Sequence, residues 1–228
     1  MTDVKRSRLL LAVGAVAAAA VFIVVVLIVA APWKSDSKSS STSGDTFAGV
    51  PQRGDRLGKA SASVTITVFE DPQCPFCRTW SLDTLPTVVD RYVRTGRVKL
   101  VYRGIEIVGP NSVTGLVAIY AAGAQNKLWN LADELYRRQG TENSGWITDA
   151  LIDEAAVASG IDRDALFVSS SSGAVAVAMT EARRSAVVRS VEGTPTFVIE
   201  RPASPPRKLK VSKLDPASFT AALDAALR

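Results

Sequence analysis

The sequence predicts an α/β fold with an inserted helical subdomain, preceded by one N-terminal transmembrane helix. Three observations predict it. A β-branched and aromatic run, Val64 to Phe69, leads directly into a Cys-Pro-Phe-Cys step that opens a helix. Helical patterning then fills the middle of the chain, and strands return after Thr196. Strands at both ends with helices between them imply a layered α/β sandwich rather than a bundle. Leu9 to Ala31 adds 23 positions with no charged or strongly polar side chain.

Taken in order, the apolar run comes first. As a helix it rises about 34 Å, enough for a hydrocarbon core of about 30 Å. Lys5, Arg6 and Arg8 precede it, which places residues 1–8 in the cytoplasm and the remainder of the chain on the far side. The run is longer than the apolar region of a cleavable signal peptide, although Val29-Ala30-Ala31 offers a cleavage site. A retained signal anchor over 9–31 is therefore the preferred reading, and the domain is extracytoplasmic in either case. Residues 32–59 read as a linker, polar and flexible from Ser35 to Gly44.

The domain is expected over 60–228. After the strand Val64 to Phe69, Pro75 suits a first helical turn, where its missing N–H would have no partner anyway. Trp80, Leu82, Leu85, Val88, Val89, Tyr92 and Val93 then recur at helical spacing, with Pro86 expected to kink the helix and Gly96 to end it. Val98 to Tyr102 reads as the next strand. Helical patterning runs from Ser112 to Gln139, then about Ile147–Ser159, Arg163–Phe167 and Gly173–Val188, so the helical insertion occupies about 111–188. Gly160 reads as a helix stop and Asp162 as the following cap. Thr196 to Ile199 and Leu209 to Val211 read as strands around a Pro-rich turn at Pro202–Pro206. Asp215-Pro216 caps a final helix through Leu227.

Composition excludes several chemistries. The 228 residues contain no histidine, which removes Ser-His and Cys-His nucleophile pairs and any His-containing metal site. The net charge of +5 is mild, and three of its cations lie in the first eight residues, so nucleic-acid binding gains no support. Cys74 and Cys77 are the only cysteines. A zinc site would need two more ligands, and a purely structural disulfide across so short a loop would gain little entropy.

A redox pair fits better. A thiolate is the reactive form, and a helix N-terminus favours it through free N–H groups and the helix dipole. Cys74 is then the more exposed and acidic thiol, and Cys77, one turn inward, resolves a mixed disulfide formed on Cys74, with no cofactor. Glu70 and Asp71 stand close enough to assist proton transfer from Cys77, but a solvated or helix-capping role is the preferred reading for both. Gly193-Thr194-Pro195-Thr196-Phe197 places a proline at the mouth of a strand. Alone it would be a turn proline entering an edge strand; beside a CxxC it suggests a cis Thr194–Pro195 bond packed against the thiols, freeing backbone groups to pair with an extended substrate.

With these motifs, the chain over about 60–228 resembles the DsbA-like branch of the thioredoxin superfamily. VFEDPQCPFC, YVRTGRVKLVYR, LWNLADELYRRQ and GTPTF carry the resemblance, together with the 121 positions between Cys74 and Pro195 that leave room for a helical insertion. The resemblance implies a thioredoxin-like fold and a thiol–disulfide oxidoreductase that forms disulfides in reduced or unfolded exported proteins. It also implies reoxidation by a membrane quinone-linked thiol oxidase. It makes Cys74 the nucleophile, Cys77 the resolving thiol and Pro195 the cis proline, with Pro75 and Phe76 tuning the potential. Two departures stand out. Phe76 replaces a histidine that would help hold Cys74 as thiolate, and Val68 occupies the place where many relatives keep a buried acid. An extracytoplasmic reductant, serving cytochrome maturation for example, shares the same two thiols. A non-catalytic chaperone or binding module using the groove at Pro195 is the reading from another class. An isomerase is disfavoured because no separate dimerisation domain is visible.

Overall fold

The computed structural model describes residues 46–228. The expected tail 1–8 and anchor 9–31, and the linker as far as residue 45, lie outside the described residues. Among the described residues no single helix is long and apolar enough to cross a membrane.

The sheet has six strands in the order β1-β2-β4-β3-β5-β6. Its centre is β3 (Val64–Glu70), parallel to β4 (Val98–Gly104) from Val64↔Val98 to Glu70↔Gly104 and antiparallel to β5 (Thr196–Arg201). The near-continuous apolar run of β3 follows from burial on both faces, as a central strand with helices on each side requires. Residues 46–59, read from the sequence as the end of the linker, belong to the domain. β1 (Gln52–Arg53) and β2 (Arg56–Leu57) form a small hairpin added antiparallel to β4, and Phe47 and Leu57 are buried in the core.

Between β3 and β4 runs α1, which alternates α-helical turns (Pro75–Thr79, Leu85–Val88) with π-helical turns (Trp80–Thr84, Val89–Val93). The interruption that Pro86 predicts is therefore a widening: the Leu85 N–H bonds to the Trp80 carbonyl, five residues back, just ahead of the proline. Trp80 anchors the helix, its ring 4.6 Å from Phe197 on β5 and 4.5 Å from Phe219. Gly96 closes the segment at φ +81°, a conformation that only glycine adopts freely.

The insertion consists of α2 (Ser112–Ala122), α3 (Leu128–Arg137), α4 (Asp149–Ala158), α5 (Arg163–Ser170) and α6 (Gly173–Val188). The stretch expected as one run from Ser112 to Gln139 is broken by a 3-10 turn, Gly123–Gln125, and by Asn126 at φ +56°. Gly160 ends α4 at φ +65°, and Asp162 caps α5 by accepting from the Ala165 N–H at 2.9 Å.

At the C-terminus, Pro205 and Pro206 lie within edge strand β6 (Ser204–Lys208) and not in a turn as expected. An edge strand tolerates them at a bulge: between the pairs Arg201↔Ser204 and Ile199↔Arg207 the regular ladder is interrupted, so no paired N–H is lost there. The pairing continues one step beyond β6, where the Leu209 N–H bonds to the Phe197 carbonyl at 2.8 Å. Asp215 caps α7 (Pro216–Leu227), accepting from the Ser218 N–H at 2.8 Å.

Candidate active site

β3 ends at Glu70, and four residues later the chain enters α1 with Cys74 as the N-cap residue and Pro75 in the first turn. Cys74 is extended (φ −72°, ψ 120°), so its sulfur faces the free N–H groups of the first turn. No acidic side chain occupies that turn and no side chain caps it, which leaves the helix end available to an anion. Both thiols are free; Cys74 is 5% exposed and Cys77, one turn inward, is wholly enclosed.

The two sulfurs are electrostatically unlike. Cys74 is brought down from 9.0 to about 6, first by the Cys77 thiol donating to it, then by a Thr194 hydrogen bond and the Cys77 and Phe76 backbone N–H groups, all working against desolvation. Burial pushes Cys77 well above the ordinary thiol value, with its bond to Cys74 and the nearby Glu70 adding to the effect. Phe76 thus assists the thiolate through its backbone while its ring, 64% exposed, points to solvent. The Phe76 side chain adds nothing to this support; backbone amides, a thiol and a hydroxyl act on the sulfur where an imidazole would.

Thr194 and Pro195 stand across from Cys74. Their peptide bond is cis, and the Thr194 carbonyl lies 3.2 Å from Cys74 Sγ, where it accepts from the thiol. The buried Thr194 hydroxyl has no other partner, so it is free to donate to the sulfur once that is ionised.

Glu70 and Asp71 are both buried, which overturns the reading of them as solvated or helix-capping groups. Glu70 accepts from Trp80 Nε1 at 3.2 Å and lies beside Tyr136. Burial raises it from 4.5 to about 8 against the opposing hydrogen bonds of Tyr136 and Trp80, so at neutral pH it holds its proton. Its position has a simple explanation. Residues two apart on a strand share a face, so Glu70 lies on the same face of β3 as Val68, one pleat nearer the thiols.

Asp71, the first residue beyond β3, does structural work. One oxygen accepts from the Gln73 N–H (2.8 Å) and the Ser112 hydroxyl (2.7 Å), the other from the N–H groups of Ile107 (2.7 Å) and Val108 (2.8 Å). The carboxylate thereby ties the CxxC loop to the segment after β4 and to the start of α2. Gln73 extends the tie, donating to Ser112 Oγ (2.9 Å) and accepting from the Asn143 N–H (2.8 Å). From α3, the Tyr136 hydroxyl donates to the Asp71 carbonyl at 3.2 Å, and just past the helix Gln139 donates to the carbonyls of Pro72 (2.9 Å) and Cys74 (3.1 Å). The insertion is therefore part of the site: it buttresses the loop that carries Cys74.

The sequence profile of the family described as thioredoxin matches residues 52–224, most of the chain and all of the site. The chain belongs to the thioredoxin family. Among curated relatives of this thioredoxin-family chain, a probable disulfide bond formation protein D from Bacillus cereus is 36% identical over 98 residues. That match covers 42% of this chain and 45% of the relative. Its counterpart from Bacillus anthracis is 35% identical over 99 residues, again 42% and 45%. The matched part thus spans just under half the length of these relatives. Among solved structures, oxidised BdbD from Bacillus subtilis superposes with a TM-score of 0.65 at 19% identity, over 78% of this chain and 97% of that one. Alpha-DsbA1 from Wolbachia pipientis gives 0.61 at 16%, over 76% and 90%. At such identities the superpositions speak for the fold, a thioredoxin-like domain with a helical insertion.

Within this thioredoxin-family site, sequence reasoning located Cys74, Cys77, Thr194, Pro195, Pro75, Phe76, Glu70 and Asp71, and the structure gathers all eight around the start of α1. It missed Trp80, Tyr136, Gln73 and Gln139. Trp80 carried a faint signal, lying three residues beyond Cys77 on a helix whose neighbouring apolar positions face the core. The other three act through contacts that no local pattern encodes.

Proposed function

We propose that the chain is an extracytoplasmic thiol–disulfide oxidoreductase that forms disulfides in exported proteins, tethered to the membrane through residues 9–31. The observation that carries this reading is the division of labour between an acidic Cys74 and a buried, weakly acidic Cys77. A pair so arranged favours oxidation of its substrates, because a stabilised Cys74 thiolate lowers the energy of the reduced protein and is a good leaving group from the mixed disulfide.

In the oxidising direction, a substrate thiolate attacks Cys74 of the Cys74–Cys77 disulfide. The S–S bond breaks, Cys77 takes the electron pair, and its sulfur requires a proton. In this reading Glu70, which holds its proton at neutral pH and acts electrostatically on Cys77, supplies it. The substrate's second thiolate then attacks its own sulfur in the mixed disulfide and expels Cys74 as a thiolate. Two electrons pass from substrate to protein, and the substrate leaves with a disulfide. Reoxidation of Cys74–Cys77 falls to a membrane quinone-linked thiol oxidase in this reading. Asp71 takes no part in proton transfer, since both its oxygens are occupied by positioning bonds.

The test is the equilibrium reduction potential in glutathione buffers, coupled to refolding of a reduced, disulfide-requiring protein. A potential towards about −120 mV with accelerated refolding supports the oxidase; one near about −270 mV with no acceleration assigns the protein to the reductants. The binding-module reading predicts that Cys74→Ser leaves function intact, whereas the oxidoreductase loses it.

A further inference from the structure

Beside the thiols, a groove of about 540 Å³ runs from Phe76 and Pro195 past Leu209 and Val211. Its apolar floor includes the exposed Phe76 ring, a large hydrophobic surface left in solvent next to the reactive sulfur. Its charged lining consists of Lys208 and Lys210; none of the lining residues is acidic. The two lysines share a side because the chain continues in strand pairing from β6 through Leu209, so alternate residues project together while Leu209 turns into the core. Lys208 spends one N–H on the Ser190 carbonyl at 2.7 Å and keeps its charge, and the Lys210 side chain is exposed.

We propose that this groove selects substrate segments by charge: an extended, cysteine-bearing segment with an apolar residue beside the cysteine and carboxylates further along. The inference rests on the oxidoreductase reading and names the substrate class of the same site. An apolar neighbour covers the Phe76 ring and excludes water from it. Covering two ammonium groups without anions would cost desolvation, and cationic segments would be repelled outright, so carboxylates are the complement. The fold also steers the segment. β6, the exposed edge strand, holds Pro205 and Pro206, neither of which has an N–H for an added strand, so strand addition is directed away from that edge and towards the cis-proline end.

The experiment uses the oxidised full-length protein and three synthetic dithiol peptides. They are identical except for flanking Glu, Ser or Lys on both sides of the cysteine segment. Each rate of disulfide transfer is divided by the same peptide's rate with a small aromatic disulfide, which removes the effect of flanking charge on the peptide thiols. The Glu peptide should react about threefold to tenfold faster than the Ser peptide, as expected for two exposed charge pairs, and the Lys peptide slower than either. The spread should collapse when ionic strength rises from about 0.05 to about 0.5 M. Lys210→Glu should narrow or reverse the Glu-over-Lys ratio. Equal normalised rates for all three peptides, while dithiothreitol still reduces the protein's disulfide, would overturn the charge selection and leave the redox reading standing. Failure of dithiothreitol itself to reduce Cys74–Cys77 would bring down the redox reading and this inference with it.

Discussion

Replacing Glu70 by glutamine should make the protein more stable at neutral pH, and the size of the gain follows from burial. Glu70 is enclosed and raised from 4.5 to about 8, chiefly by desolvation. A carboxyl raised in the folded state binds its proton more tightly there than in the unfolded chain. Its contribution is fully present below about pH 4.5, declines at up to about 1.4 kcal/mol per pH unit between the two values, and is exhausted above about 8. From pH 5 to pH 7 the native state should therefore lose about 2–3 kcal/mol through this one group. Glutamine has nearly the same shape, still offers an acceptor to Trp80 Nε1, and has no charge to keep from water. The assay is guanidinium unfolding across pH 5–8 on the oxidised protein, in which neither cysteine titrates. The wild-type midpoint should fall with pH while that of Glu70→Gln stays level, leaving the variant ahead by about 2 kcal/mol at pH 7. Curves that run parallel for the two proteins over the whole range would refute the argument, because Glu70 would then have the same proton affinity folded and unfolded.

Three further outcomes are expected. In the reduced protein, alkylation by iodoacetamide should fall on Cys74 alone, with a midpoint near pH 6 and a plateau by about pH 8, since Cys77 is buried and raised; modification of Cys77 at comparable rate would contradict the asymmetry. Thr194→Val removes the hydroxyl that steadies the thiolate and should move that midpoint up by about one pH unit, in keeping with the strength of a hydrogen bond to a charged group, with a fall in reduction potential; an unchanged midpoint would show that the backbone amides suffice. Asp71→Ala leaves the buried donors of Gln73 and Ser112 and the part-buried N–H groups of Ile107 and Val108 without their acceptor and should cost about 2–4 kcal/mol in denaturant unfolding, and a loss below about 1 kcal/mol would mean that water replaces the carboxylate freely.

The chain's local signals explain why so much of the site was legible. A β-branched run, two cysteines and a proline at a helix start specify a strand-to-helix junction within about a dozen residues. The thiol geometry there depends on backbone conformation that those residues themselves impose. Helix stops and caps at Gly160, Asp162 and Asp215 were readable for the same reason, since each acts on its own neighbours. β1 and β2 escaped notice because two-residue strands carry no periodicity; pairing with β4 defines them. Pro205 and Pro206 read as a turn because proline composition cannot distinguish a turn from a sheet edge.

The sequence by itself determined which atoms can carry the chemistry: with no histidine and two cysteines three residues apart, exchange at sulfur was the chemistry left open at a CxxC. It also determined that those sulfurs sit at a helix N-terminus. Only the tertiary structure decided what Glu70 and Asp71 do. One is the last residue of β3 and the other the first beyond it, so their fates depend on what packs around each. Burial beside Trp80 and Tyr136 takes water from one, and that desolvation keeps it protonated at neutral pH against the hydrogen bonds of those two side chains. The segment after β4 and the start of α2 close over the other and turn it into a clamp. A carboxyl's proton affinity is set by the water it loses and the donors it gains, and both are supplied by residues distant in the chain.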